Sequence, residues 1–325
     1  MTSTHRVVCA IDSQMAYALG VLLGSLKRES SRAFRVTVGY LEGSLPSRDR
    51  ESVSFLAAAL NIPLDFMPLP QNPLFITQGH ISPTTFAKFL LSDAITEPHL
   101  WIDADTVALP GWDSIFDVID ATSEKQGLVV AKRGTSPGAP LDSMLFNAGV
   151  LGWPGGTRRN WAEPLRQMET VDTQEQALFN DLYSDTAVWV SEKYNTLTYR
   201  IDQLDPRDLP SIIHYAGAHK PWHLVRNLAQ NCVEYGCPWS VWFAAEESLS
   251  KELKAGPLAE KFTGLQRAAL YTGHLRWRRD HSGLWLVKLL AALGADRAVA
   301  EGKGVRRDVH GTAGGDHRAR RERVL

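Results

Sequence analysis

Over the first hundred positions, short continuous apolar runs alternate with stretches whose apolar residues recur at helical spacing. Val7-Val-Cys-Ala-Ile11 is such a run, stopped by Asp12, and reads as a buried strand. From Gln14 to Lys27, Leu19, Leu22, Leu23 and Leu26 share one helical face and predict a helix. Phe34 to Leu41 predicts a second strand, Val53 to Leu60 a second helix, and Leu64 to Met67, between prolines, a third strand. A helix over Pro83 to Ile95 and a strand over His99 to Ile102 follow, with further strand-like runs at Gly127 to Ala131, Gly149 to Gly152 and Ser211 to His214. Strands alternating with helices predict an α/β sheet with crossover helices. The alternation stops near Arg226 and no internal repeat is visible. This divides the chain into a body over 1–225, a helical or irregular extension over 226–301, and a tail over 302–325. The tail, with scattered Gly and Arg and almost no large apolar residues, is expected to be disordered.

Composition narrows the picture without changing it. The chain has 325 residues, 44% hydrophobic and 22% charged, which fits a globular protein and excludes a collagen-like or intrinsically disordered one. Three cysteines cannot build a disulfide framework at this length, and a reducing compartment is the simpler reading. The five-residue apolar run at the N-terminus is too short for a signal peptide. Gly283 to Ala295, 13 residues interrupted by Lys288, is too short to cross a bilayer. The expectation is a cytoplasmic protein, free or peripheral on the inner face of the membrane.

Charge is balanced overall at -1 but lopsided along the chain. Residues 267–325 carry 13 basic and 6 acidic side chains, a net of +7, which leaves -8 on the remainder. An acidic body argues against nucleic acid as its partner, and a basic tail suits an anionic one. Within the extension, Arg276-Trp-Arg-Arg279 precedes Leu284-Trp-Leu-Val287. That pattern fits an interfacial anchor on an anionic membrane surface, and equally a helix packed on the body with a solvated basic face.

Candidate chemistry concentrates where apolar strands end. Leu100-Trp-Ile-Asp-Ala-Asp105 puts two carboxylates just past a strand, where open α/β sheets bind ligands. Two acids so close repel unless a cation lies between them, and oxygen ligands suit magnesium or manganese. Alone, such a pair serves a turn or a helix cap just as well. His214-Tyr-Ala-Gly-Ala-His-Lys-Pro-Trp222 follows another apolar run: His214 is a candidate metal ligand or a satisfied core histidine, Lys220 can meet an anion, and Gly217 permits close backbone approach. The spacing of His214, His219 and His223 matches no standard zinc helix. Asn147, in Phe146-Asn-Ala-Gly-Val150, could bond a polyol, and Glu175 and Gln176 open a helix; taken singly, each fits a turn or a cap.

Taken in order, these segments resemble glycosyltransferase family 8, a retaining group that includes bacterial lipooligosaccharide galactosyltransferases and glycogenin. The resemblance rests on Ala10-Ile-Asp12, His80-Ile-Ser-Pro-Thr-Thr-Phe-Ala-Lys88, Asp103-Ala-Asp105, Phe146-Asn-Ala-Gly149, Glu175-Gln176 and His214-x-x-Gly-x-x-Lys-Pro-Trp222, across roughly residues 7 to 223. It implies a GT-A fold, with a single Rossmann-like mixed sheet flanked by helices, and a divalent manganese ion (or magnesium). It also implies transfer of a hexose, galactose or glucose, from a UDP-sugar to a glycan, lipid-linked or small-molecule acceptor. Carried onto this chain, Asp103, Asp105 and His214 would hold the metal, with Asp103 also touching the ribose or donor sugar. Gly217 and Lys220 would hold the diphosphate, Lys220 offsetting leaving-group charge. Ala10, Asp12 and Gln14 would line the uridine site. Lys88, Asn147, Glu175 and Gln176 would surround the donor sugar, with Gln176 on the face opposite UDP, while His80 and Thr85 would approach the acceptor or donor sugar.

Three departures bear on specificity. Lys88 stands where many relatives have Arg, keeping the charge but losing the planar fork. Glu175-Gln176-Ala177 replaces a frequent Asp-Gln-Asp, and Met15 stands where an aromatic residue often stacks on uracil. No residue of the pattern is a strong nucleophile, so the resemblance favours front-face transfer, in which the acceptor attacks on the leaving-group side, over double displacement. A non-catalytic sugar-nucleotide-binding protein of the same fold and an α/β nucleotidyltransferase are the alternatives. The second would normally show a Gly- and Arg-rich loop where this chain reads Asp12-Ser-Gln-Met15.

Overall fold

The structure, a computed structural model, describes residues 4–76, 82–123, 127–133, 145–156, 160–168, 174–203, 209–217, 220–223 and 236–254. His80, the Arg276 to Arg279 run of the extension, and the tail over 302–325 lie outside the described residues.

Five elements form the first half of the body: β1 (His5–Ala10), α1 (Ala16–Glu29), β2 (Phe34–Leu41), α2 (Ser47–Ala59) and β3 (Leu64–Leu69). A 3-10 turn at Pro83–Phe86 leads into α3 (Ala87–Ala94), then β4 (His99–Ile102), β5 (Thr106–Ala108) and α4 (Ile115–Ala121). The remainder comprises β6 (Val129–Ala131), β7 (Val150–Trp153), α5 (Ala162–Gln167), α6 (Gln174–Tyr183), β8 (Val188–Val190), β9 (Thr196–Leu197), β10 (Ile212–His214) and α7 (Gly236–Lys254). None of the described helices is long and apolar enough to cross a membrane.

Seven strands form one mixed sheet in the order β3-β2-β1-β4-β7-β6-β8. Strands β3, β2, β1 and β4 are parallel, and β7 is antiparallel to both β4 and β6. Side chains alternate between the faces as strand geometry requires. Val7, Cys9, Leu100 and Ile102 join the core beneath α1, α2 and α4, whereas Val8 and Trp101 join the opposite core with Phe86, Phe89 and Phe179. The edge strand β3 carries Pro68, which lacks the N–H that a central strand would need. Helix α1 is buried from Ala18 to Leu26 because it lies between the sheet and two other helices. Two glycines make room for them: a Cβ at Gly20 would meet Leu56 of α2 at 3.0 Å, and one at Gly24 would meet Leu249 of α7 at 2.9 Å.

The expected α/β sheet is present, and the strand over His99–Ile102 falls at its expected bounds. Three short strands, β5, β8 and β9, carry no recognisable pattern of their own. Two of them flank β10 in a small sheet of order β5-β10-β9. That sheet packs Val107, Ile213 and Tyr215 with Trp222 and with Trp242 of α7 into a third apolar cluster.

Because β1 lies between β2 and β4, the chain leaves its carboxyl end in one direction and returns beside it from the other. This is the switch point at which doubly wound sheets open a crevice. Asp12 follows β1 there and Asp103 follows β4.

At the opposite end of β4, His99 is buried, stacks on Trp153 with ring centroids 5.3 Å apart, and has Nδ1 2.9 Å from the Glu97 carbonyl oxygen. Burial holds it neutral and lowers its pKa to about 4, the Glu97 carbonyl partly opposing and Arg6 assisting. The unfolded chain protonates near pH 6.5. The stability this residue preserves is therefore complete above pH 6.5 and falls as pH drops towards 4, by up to about 3 kcal/mol. His99→Phe, which keeps the ring stack, should remove that component of the acid slope in urea unfolding curves taken between pH 7 and 4. A slope unchanged from wild type would contradict it.

Candidate active site

The site grows from three strand registers. Asp103 leaves β4 opposite the start of β7, its N–H donating to the Gly149 carbonyl (2.7 Å), and the Thr106 hydroxyl closes the turn on the Asp103 carbonyl (2.9 Å). Antiparallel pairing of β5 with β10 sets Thr106 across from His214, and Tyr215 N–H donates to the Asp105 carbonyl (2.9 Å). Parallel pairing of β10 with β9 brings Asn195, just before β9, to the same place. Residues separated by more than a hundred positions thus meet at the carboxyl end of the large sheet.

Asp103, Asp105 and His214 each offer one ligand atom, and these atoms lie within 4.8 Å of one another. His214 Nε2 is 3.3 Å from Asp105 Oδ1 and 3.9 Å from Asp103 Oδ2. The other ring nitrogen faces Asn195 Oδ1 at 3.0 Å. Both amide hydrogens of Asn195 go to Asn147, one to its carbonyl and one to its Oδ1, each at 3.0 Å. Turning the Asn195 amide over would set its oxygen against two others, so Nδ1 of His214 carries the proton. Nε2 then faces the two carboxylates, and a cation between them would relieve the crowding of acceptors. Two carboxylates and an imidazole nitrogen, gathered in one corner with acceptors converging, fit a divalent cation such as manganese.

Two lysines hold the remaining acid charge. Lys220 Nζ donates to Asp105 Oδ2 at 2.5 Å and to the Tyr215 carbonyl at 2.9 Å. Burial alone would raise the pKa of Asp105, but Lys220 and His214 outweigh it and hold this carboxyl well below the usual range. Lys88 is buried in α3 (2% exposed), ion-paired with Glu175, 3.3 Å from Asp103 Oδ1, and 5.3 Å from the centre of the Trp101 ring. Burial opposes its charge, yet the two acids more than compensate and its pKa is raised. For Glu175, burial is the main upward push, aided by Asp103 and opposed by Lys88 and the Thr85 hydroxyl.

Among the described residues, hydrogen bonds join several of the expected site residues in two groups, one around Asn147 and one around Asp12. Asn147 Nδ2 donates to Gln176 Oε1 (2.8 Å), while Gly149 N–H donates to Asn147 Oδ1 (2.9 Å). Asp12 Oδ1 accepts from the N–H groups of Gln14 (2.9 Å) and Met15 (3.3 Å) at the start of α1, and its Oδ2 accepts from Ser82 (2.8 Å). Ala10 is partly buried against the sheet core, Gln14 is exposed, and Met15 packs inward against two apolar clusters. Gly217 adopts φ 99°, which favours glycine, and a Cβ there would meet nothing within 4 Å; backbone conformation rather than crowding demands it.

Sequence reading missed two contributors. Trp101 donates from Nε1 to Asp103 Oδ1 (2.7 Å), inside a run that reads simply as a strand. Asn195 sits in Tyr194-Asn-Thr-Leu197 with no motif around it; a buried Asn beside a short apolar pair is its only signal.

No protein-family model matches the chain. Among curated proteins it is 26% identical over 169 residues to glycosyltransferase GlyB of Streptococcus pneumoniae, covering 46% of this chain and 40% of that protein's length. It is also 19% identical over 250 residues to general stress protein A of Bacillus subtilis, covering 67% of this chain and 87% of that one. Among solved structures it superposes on galactosyltransferase LgtC, solved with donor and acceptor sugar analogues, with TM-score 0.58, 20% identity and coverage of 76% of this chain and 95% of that one. The chain has the GT-A fold of this glycosyltransferase. Glycosyltransferase GlyE of Streptococcus pneumoniae shares this fold at TM-score 0.54 and 21% identity, covering 78% of this chain and 64% of its own. The Asp-x-Asp pair after β4 and the histidine that ends β10 meet at one corner of this fold.

Gly149 is the residue that lets this corner close. A Cβ there would lie 2.1 Å from Cε1 and 2.5 Å from Nδ1 of His214. Gly149→Ala should therefore displace the imidazole and weaken manganese binding by about 10–100-fold, measured by calorimetry on protein whose circular dichroism matches wild type. Undiminished affinity would remove His214 from the ligand set.

Proposed function

We propose that this chain is a retaining, metal-dependent glycosyltransferase that moves a hexose from a UDP-sugar to an acceptor hydroxyl. One observation carries the reading: Asp103, Asp105 and His214 converge at the switch point of a GT-A sheet with acceptor atoms facing one another. The glycosyltransferases among its relatives support it. A cation held by these three residues would place positive charge against a diphosphate leaving group. The mixed oxygen and imidazole donor set favours manganese over magnesium, which prefers oxygen and water.

The remaining residues divide the work by position. Lys220, fixed by the Tyr215 carbonyl, would supply a second positive charge to the departing UDP, and Gly217 would admit the diphosphate to the backbone. Asp12, Ala10 and Gln14 would border the uridine at the end of β1. Lys88, Glu175, Asn147 and Gln176 would contact the donor sugar, with Thr85 and His80 towards the acceptor. Among the described residues, no carboxylate stands ready as a nucleophile: Glu175 is committed to Lys88, Asp103 to Lys88 and Trp101, and Gln176 is a neutral amide bonded to Asn147. Front-face transfer follows from that shortage. The acceptor oxygen forms its bond to the anomeric carbon as the bond to the β-phosphate oxygen breaks, and the acceptor proton passes to a β-phosphate oxygen. The protein contributes orientation and charge rather than a covalent intermediate. The acceptor proposed is a glycan, a lipid-linked sugar or a small molecule. Attachment of the basic tail to an anionic membrane on the cytoplasmic side would suit the lipid-linked case.

The test is UDP release from a panel of UDP-hexoses with manganese or EDTA. Wild type should release UDP from one donor only with the metal. Asp105→Ala should lose at least about 10²–10³-fold, whereas Gln176→Ala should keep measurable turnover. Equal and complete loss in both, with folding intact, would sink the front-face scheme, and absence of both UDP release and manganese-dependent UDP binding would sink the assignment.

A further inference from the structure

Asn195 lies at a junction that neither the metal ligands nor the donor-sugar residues explain. It is 4% exposed and spends every polar atom of its side chain on two partners. Nδ2 serves the carbonyl and Oδ1 of Asn147, and Oδ1 serves Nδ1 of His214. Asn147 in turn donates to Gln176 and accepts from Gly149 N–H. A continuous polar chain, His214–Asn195–Asn147–Gln176, therefore links the metal corner to the sugar-facing helix α6. A second strut reaches α6 independently, because Asn180 Nδ2 donates to the Phe146 carbonyl and its Oδ1 accepts from Phe146 N–H. The Asn147 segment is thus held at its start by Asn180 and in its middle by Asn195.

We propose that Asn195 is a positioning residue with two separable duties: its oxygen fixes His214 with Nε2 presented to Asp103 and Asp105, and its amide hydrogens fix Asn147 for the donor sugar. The inference rests on the metal-dependent reading above. Hydrogen-bond partners of this kind orient a ligating imidazole by holding its other nitrogen, and their loss typically weakens metal binding by about 10–100-fold. The two duties use different atoms, so they can be removed separately. Asn195→Asp keeps an oxygen for His214 Nδ1–H but loses both donors to Asn147. Asn195→Ala loses everything.

Manganese binding, read by loss of the free-ion electron paramagnetic resonance signal with and without UDP, is compared in wild type, Asn195→Ala, Asn195→Asp and Asp105→Ala. Asn195→Ala should bind manganese about 10–100-fold more weakly than wild type, and Asn195→Asp should recover most of that loss. KM for the UDP-sugar should stay raised in both. Wild-type manganese affinity in Asn195→Ala, or equal losses in the Ala and Asp variants, would overturn the proposal. If wild type and Asp105→Ala alike fail to bind manganese, the metal reading itself fails and the proposal with it. A measurement on the wild-type chain guards against misfolded variants. With diamagnetic zinc as the probe and His214→Ala to assign the signal, ¹⁵N shifts of His214 should show a metal-bound Nε2 and a protonated Nδ1. A metal-bound Nδ1, or a ring untouched by zinc, would overturn the assignment.

Discussion

Three carboxylates, Asp103, Asp105 and Glu175, are brought together at the end of one strand, and most of the local architecture follows from the need to neutralise them. Two buried or half-buried lysines answer part of that charge, each tied to a different acid. The lysines come from different elements, Lys88 from α3 and Lys220 from the segment after β10. With three carboxylates set against two lysines, an added cation would offset the remaining negative charge. A buried group of this kind would weaken an ordinary structural protein, since breaking any pair strands a charge away from water. Its persistence beside a crevice is the mark of a site rather than of a core.

The large sheet was legible because its strands are long enough to show themselves. β1, β2 and β4 are apolar runs ended by acid, glycine or proline, and α1 shows its leucines at plain helical spacing. Of the three-stranded sheet only β10 was, as the apolar run at Ser211 to His214. β5 and β9 hold three and two residues, too few for alternation to register, and they are strands only because each pairs with β10, far away in the chain. Local propensity has nothing to say about such pairings, which tertiary contact alone decides.

The same division runs through the site. The Asp-x-Asp pair and the His-to-Lys segment stand out because acids and glycines interrupt apolar runs, and both lie where they were expected. Asn195 and Trp101 were invisible for the opposite reason: each looks like ordinary filling for its surroundings, and each matters through one bond to a residue remote in sequence or across the strand. The departures at 88 and 175 are also clearer as a pair than singly. The acid at 175 and the cation at 88 form one buried ion pair.

Helix α7 lies beyond the alternating body, and among the described side chains none of its residues contacts Asp103, Asp105 or Glu175. Yet Trp242 meets Tyr215 edge-on and packs at a tilt against Trp222, the two aromatic residues on either side of Lys220, and the carbonyl of Tyr215 accepts from the Lys220 ammonium. The outer wall of the cleft is consequently built on a buttress that comes from later in the chain. Cutting the protein back to its α/β sheet would leave Asp103, Asp105, His214 and Lys220 in the sequence while removing the packing behind Tyr215 and Trp222, so the smallest unit that keeps this corner intact is larger than the motifs that mark it.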